Sequence, residues 1–287
     1  MNPLRIAVTG ATGFVGRSLV KAFQAEGFDA IPLSRHDIAD GAERLAEKIS
    51  GADVVINLAG APIATRWSEP YKKELYASRI GVTETLVRAF ELAGARPFLF
   101  ISASAVGFYA DTGKQTEDNF VPAEDFLGRL TWAWEQAALN AEGLDIRTII
   151  FRLGVVLGKG GGALGKMLPP FKLGLGGIIG DGSQPISWVQ MKDLERAFIT
   201  AIKDKSFNGT YNLASPNPTT NKGLTKALGK ALNRPTFLQV PRFALRLALG
   251  EGADVLIKGQ EVYPKRLLDS GFKFSFPDIE SAVKASI

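Results

Sequence analysis

A glycine-rich turn reads Gly10-Ala11-Thr12-Gly13-Phe14-Val15-Gly16 and joins a strand-like run, Leu4–Thr9, to an amphipathic segment. In that segment Val15, Leu19 and Phe23 recur at helical spacing, so one apolar face can cover a sheet. Glycines between a strand and a helix let the backbone turn tightly and bring its N–H groups close to a pyrophosphate. The context therefore predicts a dinucleotide-binding turn, whose cofactor-binding residues are Gly10, Thr12, Gly13, Phe14, Val15 and Gly16. The alternative is a tight strand-to-helix turn with no ligand.

Strand-like and helical segments alternate over the first 155 residues. Short β-rich runs occur at Leu4–Thr9, Ala30–Leu33, Asp53–Leu58, Phe98–Ser102 and Ile146–Leu153. Such alternation is typical of a parallel sheet with helices on both faces. We therefore predict an α/β fold with a doubly wound parallel (Rossmann) sheet and a smaller C-terminal α/β lobe.

The composition of the sequence changes beyond Gly158, where glycine becomes frequent. We predict a nucleotide-binding domain over residues 1–155, to which residues 186–215 return. Residues 156–185 are interpreted as a glycine-rich flap over a cleft, and residues 216–287 as the C-terminal lobe that binds substrate. Within that lobe we expect small strands at Phe237–Val240 and Phe272–Phe274.

The end of the second strand reads Leu33-Ser34-Arg35-His36. An NAD-preferring fold places an acidic residue at this point to bind the ribose 2′-hydroxyl. A hydroxyl and a guanidinium instead suit a 2′-phosphate, which Arg35 can bind with two hydrogen bonds. Ser34 and Arg35 therefore favour NADP over NAD. In the alternative interpretation Arg35 is a solvated loop residue.

Two further strand ends carry small or polar residues. One reads Asn57-Leu58-Ala59-Gly60-Ala61 and the other Ser102-Ala103-Ser104. Both are expected at the carboxyl edge of the sheet, where open α/β folds bind their ligands. We assign Leu58, Ala59, Gly60 and Ser102 to the cofactor site.

The sequence resembles the extended short-chain dehydrogenase/reductase family, which lies within the NAD(P)-dependent epimerase/dehydratase group. Within that family it most resembles the atypical sugar-epimerase-like branch. The resemblance covers essentially the whole chain. It rests on the glycine turn, Asn57–Gly60, Ser102–Ser104, Trp134-Glu135, Arg152–Leu157, Ser187-Trp188-Val189, Pro216–Asn221, Arg234-Pro235 and Gly271–Phe274. It implies chemistry in which a serine holds the substrate oxygen, a tyrosine acts as acid or base, and a lysine four residues later lowers the tyrosine pKa.

Ser104 matches the serine that the resemblance implies, but the Tyr-x-x-x-Lys pair is missing. Alignment on Glu135 places Leu127 and Thr131 at those positions, and a shift by one residue places Phe126 and Leu130 there. Tyr109, Asp111 beside it or an ordered water is a substitute proton source. We therefore predict Ser104 and Tyr109 as catalytic residues, with Tyr109 as a wall residue in the alternative interpretation.

Two arginines are also candidates for the site. Arg152 lies at a strand end and is assigned to the cofactor site, although it could equally pair with an anionic substrate. Arg79, in a helical segment after Asn57, could also pair with such a substrate. A surface or structural ion pair is the alternative for each arginine.

The amino-acid composition excludes several kinds of functional site. The chain of 287 residues contains no cysteine and one histidine, which excludes disulfides and thiolate metal sites and disfavours a histidine-built metal site. The net charge of +5 arises in residues 221–287, with 11 Lys/Arg against 6 Asp/Glu. No nucleic-acid-binding module accompanies this charge, so we expect a solvated basic face or attraction of a small anion.

No apolar run is long enough to cross a membrane and no secretory signal is evident, so we expect a cytoplasmic protein with no membrane or nucleic-acid partner. The oligomeric state stays open. Together the motifs predict an NADP-dependent oxidoreductase or epimerase that acts on a small hydroxyl- or carbonyl-bearing, anionic molecule. The alternative is a catalytically silent NADP(H)-binding sensor or regulator, which the missing Tyr-Lys pair favours.

Overall fold

The structure, a computed structural model, describes residues 3–287. Its strands are β1 (Arg5–Thr9), β2 (Asp29–Leu33), β3 (Val54–Asn57), β4 (Leu99–Ala105), β5 (Lys114–Gln115), β6 (Arg147–Leu153), β7 (Val155–Leu157), β8 (Gly177–Ile179), β9 (Pro185–Ile186), β10 (Trp188–Gln190), β11 (Gly209–Leu213), β12 (Thr219–Thr220), β13 (Leu238–Val240) and β14 (Glu261–Val262).

The α-helices are α1 (Phe14–Ala25), α2 (Arg35–Ala39), α3 (Ala42–Ile49), α4 (Glu69–Tyr76), α5 (Val82–Leu92), α6 (Phe126–Leu139), α7 (Gly162–Lys172), α8 (Met191–Lys203), α9 (Asn221–Leu232), α10 (Arg242–Leu249), α11 (Asp254–Ile257), α12 (Lys265–Asp269) and α13 (Ile279–Ala285). A π-helical turn, Ala77–Gly81, joins α4 to α5. Single 3₁₀ turns lie at Val106–Phe108, Asn140–Leu144 and Gly250–Ala253.

Six parallel strands form the central sheet in the order β11-β6-β4-β3-β1-β2, which confirms the predicted fold class. The strand register sets Thr9 beside Asn57, and Asn57 beside Ser102. Two residues further along β4, Ser104 is paired with Arg152 of β6. A row of polar residues therefore crosses the carboxyl edge of the sheet.

Each face of the sheet is covered by helices. On one face, Leu19 and Phe23 of α1 and Phe198 of α8 are completely buried. On the other, Leu45 of α3 and Phe90 of α5 are buried in the same way. Burial of one such side chain contributes about 1.5–3 kcal/mol, so the two cores fix the sheet that carries the polar edge.

The glycine-rich segment 156–185 contributes to the core of the C-terminal lobe. It contains α7 and β8, and Leu164 and Phe171 of α7 are buried beside Leu224 and Leu228 of α9. Because these apolar side chains share a core with the C-terminal lobe, α7 is packed against that lobe, and the role of the segment as a flap over a cleft stays a prediction.

The predicted strand at Phe272–Phe274 is wrong. These residues form no strand, and their two rings meet edge to face with centroids 5.0 Å apart. Phe272 is buried against the core beneath the sheet. The alternation of aromatic and charged residues in this segment reflects packing of the rings, not pairing of a strand.

Candidate functional site

The glycine turn between β1 and α1 has no room for a side chain at Gly10 or Gly16. Gly10 has a φ of 64°, and a Cβ atom there would lie 2.7 Å from the carbonyl oxygen of Leu58. A Cβ atom at Gly16 would lie 2.2 Å from the carbonyl oxygen of Gly10. The glycines therefore allow the turn to approach both the start of α1 and the segment after β3.

The N-terminus of α1 is open to an anion. Gly13 is its N-cap, no side chain caps the helix, and its first turn holds no acidic residue. Backbone N–H groups in the first turn of a helix have no partner within the helix and carry a partial positive charge. This bare helix end fits a pyrophosphate, and Thr12 and Gly13 beside it are exposed.

A buried hydrogen-bond network positions the segment after β3. Thr9 donates to the Asn57 Oδ1 (2.7 Å), and Asn57 donates through Nδ2 to Thr83 of α5 (2.8 Å). The backbone N–H groups of Leu58 and Ala59 donate to Thr9 and Asn57, respectively. The network holds the segment Leu58–Gly60 beside the glycine turn, with Gly60 exposed.

At the end of β2, Ser34 and Arg35 have different roles. The Ser34 side chain caps α2 and shares a capping box with Asp37. Hydrogen bonds from Lys48 and Ser34 lower the pKa of the Asp37 carboxyl to about 2. Arg35 is exposed at the first position of α2, and no described residue forms an ion pair with it. An uncompensated guanidinium therefore stands at the point where the sequence predicts binding of a 2′-phosphate.

A buried ion pair lies at the end of β4. Arg152 donates through Nε and Nη2 to the two oxygens of Glu135 in α6, at 2.8 and 2.7 Å. Ser104 donates to Glu135 Oε1 at 2.6 Å. Ser104, Glu135 and Arg152 are all at most 5% exposed. Arg152 is therefore engaged with Glu135, and its predicted role in cofactor binding stays a prediction.

Tyr109 extends this network to β11. Its hydroxyl accepts a hydrogen bond from Arg152 Nη1 (2.7 Å) and donates to Asn212 Oδ1 of β11 (2.7 Å). Burial raises the pKa of the Tyr109 phenol, although Arg152 opposes that rise. The side chain is completely buried, so its hydroxyl is satisfied by protein in this structure. The predicted catalytic role of Tyr109 stays a prediction, and the geometry offers it no direct support.

The network continues into the C-terminal lobe. The backbone N–H of Asn212 donates to Glu117 Oε1 (2.8 Å), and the backbone N–H of Arg266 donates to Glu117 Oε2 (3.4 Å). Burial raises the pKa of the Glu117 carboxyl, while these backbone hydrogen bonds lower it. Ser104 is thus connected to the lobe through hydrogen-bonded groups.

Leu127 and Thr131 occupy the helix positions at which the resemblance implies tyrosine and lysine. Leu127 lies near Gly107, and a Cβ atom at Gly107 would be 3.7 Å from the Leu127 Cβ. The Thr131 hydroxyl is buried and donates to carbonyls of its own helix, Leu127 and Gly128. Neither side chain can supply a proton or a fixed charge to a substrate.

Sequence reasoning missed the roles of Glu135, Asn212 and Glu117. Trp134-Glu135 is among the motifs that carry the resemblance, but the sequence alone does not link Glu135 to Ser104. A sequence signal that could indicate such a buried network is a charged residue inside an apolar run. Arg152 is one, because it lies between Ile149-Ile150-Phe151 and Leu153. Because a buried charge needs a partner, such a residue predicts a buried counter-ion, although not which one.

Comparison with known proteins gives concordant results along the whole chain. The model of the NAD dependent epimerase/dehydratase family matches residues 6–214, and that of a "Domain of unknown function (DUF1731)" matches residues 240–286. The chain is 39% identical to the epimerase family protein SDR39U1 homolog, chloroplastic, of Arabidopsis thaliana, over 99% of this chain and 87% of the relative. It is 35% identical to the epimerase family protein YfhF of Bacillus subtilis, over 99% of this chain and 98% of the relative.

Solved structures show the same similarity. The crystal structure of human epimerase family protein SDR39U1 (isoform 2) with NADPH superposes with a TM-score of 0.89 at 33% identity, covering 98% of both chains. A UDP-glucuronic acid 4-epimerase from Bacillus cereus, at 17% identity and a TM-score of 0.79, covers 99% of this chain and 98% of its own and shares the fold. Among residues 3–287, every helix is too short or too polar to cross a membrane.

Proposed function

The chain belongs to the NAD dependent epimerase/dehydratase family, and from that premise we propose that it is an NADP(H)-dependent oxidoreductase or epimerase that acts on a small hydroxyl- or carbonyl-bearing molecule. The observation that carries the choice of cofactor is the exposed Arg35, which has no ionic partner among the described residues and lies two residues after the end of β2. The NADPH bound to the human relative supports the same choice.

The residues that would hold the cofactor are arranged along one edge of the sheet. Backbone N–H groups of Phe14, Val15 and Gly16 would donate to the diphosphate, because the start of α1 has no other cap. Arg35 would bind the 2′-phosphate, and the segment Leu58–Gly60 would line the cleft. Bound NADP(H) would supply hydride transfer through its nicotinamide ring.

We assign Ser104 to the reacting oxygen of the substrate. Its hydroxyl hydrogen is directed to Glu135, so its lone pairs are the groups left to accept a hydrogen bond from a substrate hydroxyl. The ion pair with Arg152 fixes Glu135 and thereby the orientation of Ser104. Because the Tyr109 hydroxyl is buried between Arg152 and Asn212, an ordered water is the proton source that the geometry favours.

Replacement of Ser104 with alanine is expected to slow turnover by about 10- to 100-fold, because the reacting hydroxyl of the substrate loses the acceptor that orients it. NADPH affinity should change less than twofold, because no hydrogen bond to the diphosphate is lost. Steady-state rates and NADPH titrations measure the two effects. Ser206→Ala, at an exposed loop position, is the control. Full activity in Ser104→Ala would place the reaction centre elsewhere.

The function itself is tested by mixing the purified protein with aldehydes, ketones and nucleotide sugars. NADPH absorbance reports net reduction, and NMR of the sugar reports epimerisation, which returns the cofactor to its starting redox state. Turnover of any of these supports the proposal. Tight NADPH binding with no turnover favours a sensor, a reading supported by Leu127 and Thr131 at the positions of the missing pair. Failure to bind NADPH would overturn the proposal.

A further inference from the structure

The five most exposed large apolar side chains among the described residues lie in one part of the C-terminal half. Each is between 59% and 79% exposed, and they are Leu173, Leu175, Phe237, Phe243 and Leu247. Single exposed apolar residues are ordinary on a protein surface, whereas a group of this size usually marks an interface. We call these five side chains the apolar patch.

The segment between α7 and β8 lies beside the start of β13. It carries Leu173 and Leu175, and β8 begins two residues later at Gly177. The parallel register pairs Gly177 with Leu238, so the preceding residue, Phe237, lies beside the same segment. These three members of the patch are therefore near one another at the surface.

Helix α10 carries the other two members, Phe243 and Leu247, which are one turn apart and share a face. The start of the helix lies against the end of β8, because a Cβ atom at Gly180 would be 2.5 Å from the Arg242 Nε. The patch therefore belongs to one small substructure, formed by the end of α7, the β8–β13 ladder and α10.

α10 has apolar side chains on two opposite faces. Six of its eight residues are apolar, yet none is buried. Leu245 and Leu249 are half-buried against the protein, whereas Phe243 and Leu247, about 200° around the helix from them, are exposed. A helix that is apolar all round is ordinarily covered on both sides. One face of α10 therefore lacks its partner.

The charges on α10 favour a neutral apolar partner. Arg242 pairs with Asp181 and Arg246 pairs with Asp254, both at 2.9 Å, so each cation of the helix has a counter-ion in its own chain. A helix that binds an anionic membrane offers its Lys and Arg side chains to the lipid head groups. Because those of α10 are engaged, the same patch on a second copy of the chain is the better match.

The patch is self-complementary in shape and sufficient in area. When two copies of α10 pack antiparallel about a two-fold axis, Phe243 of each copy meets Leu247 of the other, and both contacts form together. The patch offers about 600 Å² of apolar area, with about 150 Å² from each ring and about 100 Å² from each leucine. Two copies together bury about 1,200 Å², the lower limit for a specific interface.

We propose that the chain forms a homodimer through the apolar patch, with the two α10 helices antiparallel across the two-fold axis. Because the interface is small, the dimer dissociates on dilution. The proposal does not rest on the proposed function, since no member of the patch belongs to the candidate cofactor site or to the network around Ser104.

Sedimentation velocity over a range of protein concentrations, at low and at high salt, measures the association. High salt should strengthen it, because Lys172 and Arg234 are exposed beside the patch without an ion pair among residues 3–287 and repel the same groups of the second copy. Phe243→Asp and Leu247→Lys should each weaken dimerisation by about tenfold or more, since each places unpaired charges in the interface. Trp132→Asp is the control, because Trp132 is 56% exposed on α6, outside the patch.

A mixture of the two variants tests the antiparallel arrangement. In the mixed dimer, the carboxylate introduced by Phe243→Asp meets the ammonium group introduced by Leu247→Lys, and the second contact keeps its native side chains. The mixture should therefore dimerise about tenfold more tightly than either variant alone. Recovery of this kind also shows that both variants are folded, and thermal unfolding of each checks the same point.

A chain that stays monomeric at every concentration and in both salts would overturn the proposal. A dimer that persists in both patch variants, or that Trp132→Asp disrupts, would do the same. Failure of the mixture to recover would overturn the antiparallel arrangement. Vesicles of phosphatidylglycerol and phosphatidylcholine probe the other occupant: a monomer that binds them, and loses that binding in Phe243→Asp, would assign the patch to a membrane instead. NADPH titration of the unaltered protein tests the proposed function separately.

Discussion

Replacement of Glu135 with glutamine should lower the free energy of unfolding by about 3–5 kcal/mol, because it leaves the buried Arg152 without a counter-charge. Glu135 is 4% exposed and Arg152 is 5% exposed, so water cannot take the place of the lost carboxylate. The two hydrogen bonds from the guanidinium are geometrically ideal for a carboxylate and poorly matched by an amide. Chemical denaturation measures the effect as a lower midpoint at an unchanged slope.

Glu91→Gln is the control for that measurement. Glu91 pairs with Arg88 on the surface of α5, and exposed pairs of this kind contribute about 0–1 kcal/mol. The double variant Glu135→Leu with Arg152→Met removes both charges and should recover much of the loss, since apolar replacement of a buried pair is often neutral. If Glu135→Gln costs no more than Glu91→Gln, the ion pair does not stabilise the fold as argued.

Replacement of Arg35 with aspartate should reverse the cofactor preference. We expect the unaltered protein to bind NADPH at least about tenfold more tightly than NADH, which corresponds to about 1.4 kcal/mol. The substitution removes the guanidinium and sets a carboxylate against the 2′-phosphate, while the new residue can accept from a ribose hydroxyl. The ratio of the two affinities should therefore change by about a hundredfold or more, measured by calorimetric titration.

The fold should tolerate that change. Residue 35 is the first residue of α2, where a carboxylate interacts favourably with the helix dipole. Arg44→Asp is the control, because Arg44 is an exposed residue of α3 and its replacement alters the net charge equally. Equal affinities for NADPH and NADH in the unaltered protein would contradict the assignment of Arg35.

The sheet could be predicted because its signals are local. The predicted β1 run Leu4–Thr9 and the observed Arg5–Thr9 differ by one residue, and Ile146–Leu153 corresponds to Arg147–Leu153 of β6. In both, a continuous apolar run is buried on the two faces of a parallel sheet. The segment Phe272–Phe274 shows the limit of such signals, because alternation alone does not reveal whether a neighbouring strand exists.

The glycine turn is also largely local, because Gly16 is constrained by Gly10 and Ala11 of its own turn; the contact of Gly10 with Leu58 is the long-range part. The network around Ser104 is different. Glu135 lies 31 residues from Ser104 and 17 residues from Arg152, and Tyr109 lies 103 residues from Asn212. The placement of the helices and the register of the strands decide which polar residues meet in the core. Neither can be predicted from the sequence of a single segment.

The position of β11 at one edge of the central sheet has a consequence for biosynthesis. This strand pairs with β6, yet about 55 residues of chain separate the two, from Leu153 to Gly209. Until that stretch has left the ribosome, β6 presents an open edge of unsatisfied backbone groups. Asn212, the partner of Tyr109, arrives on the same strand. Before this strand emerges, the nascent nucleotide-binding half is therefore exposed to misassociation at the open edge of β6. A chaperone that binds the nascent chain in this period would shield that edge.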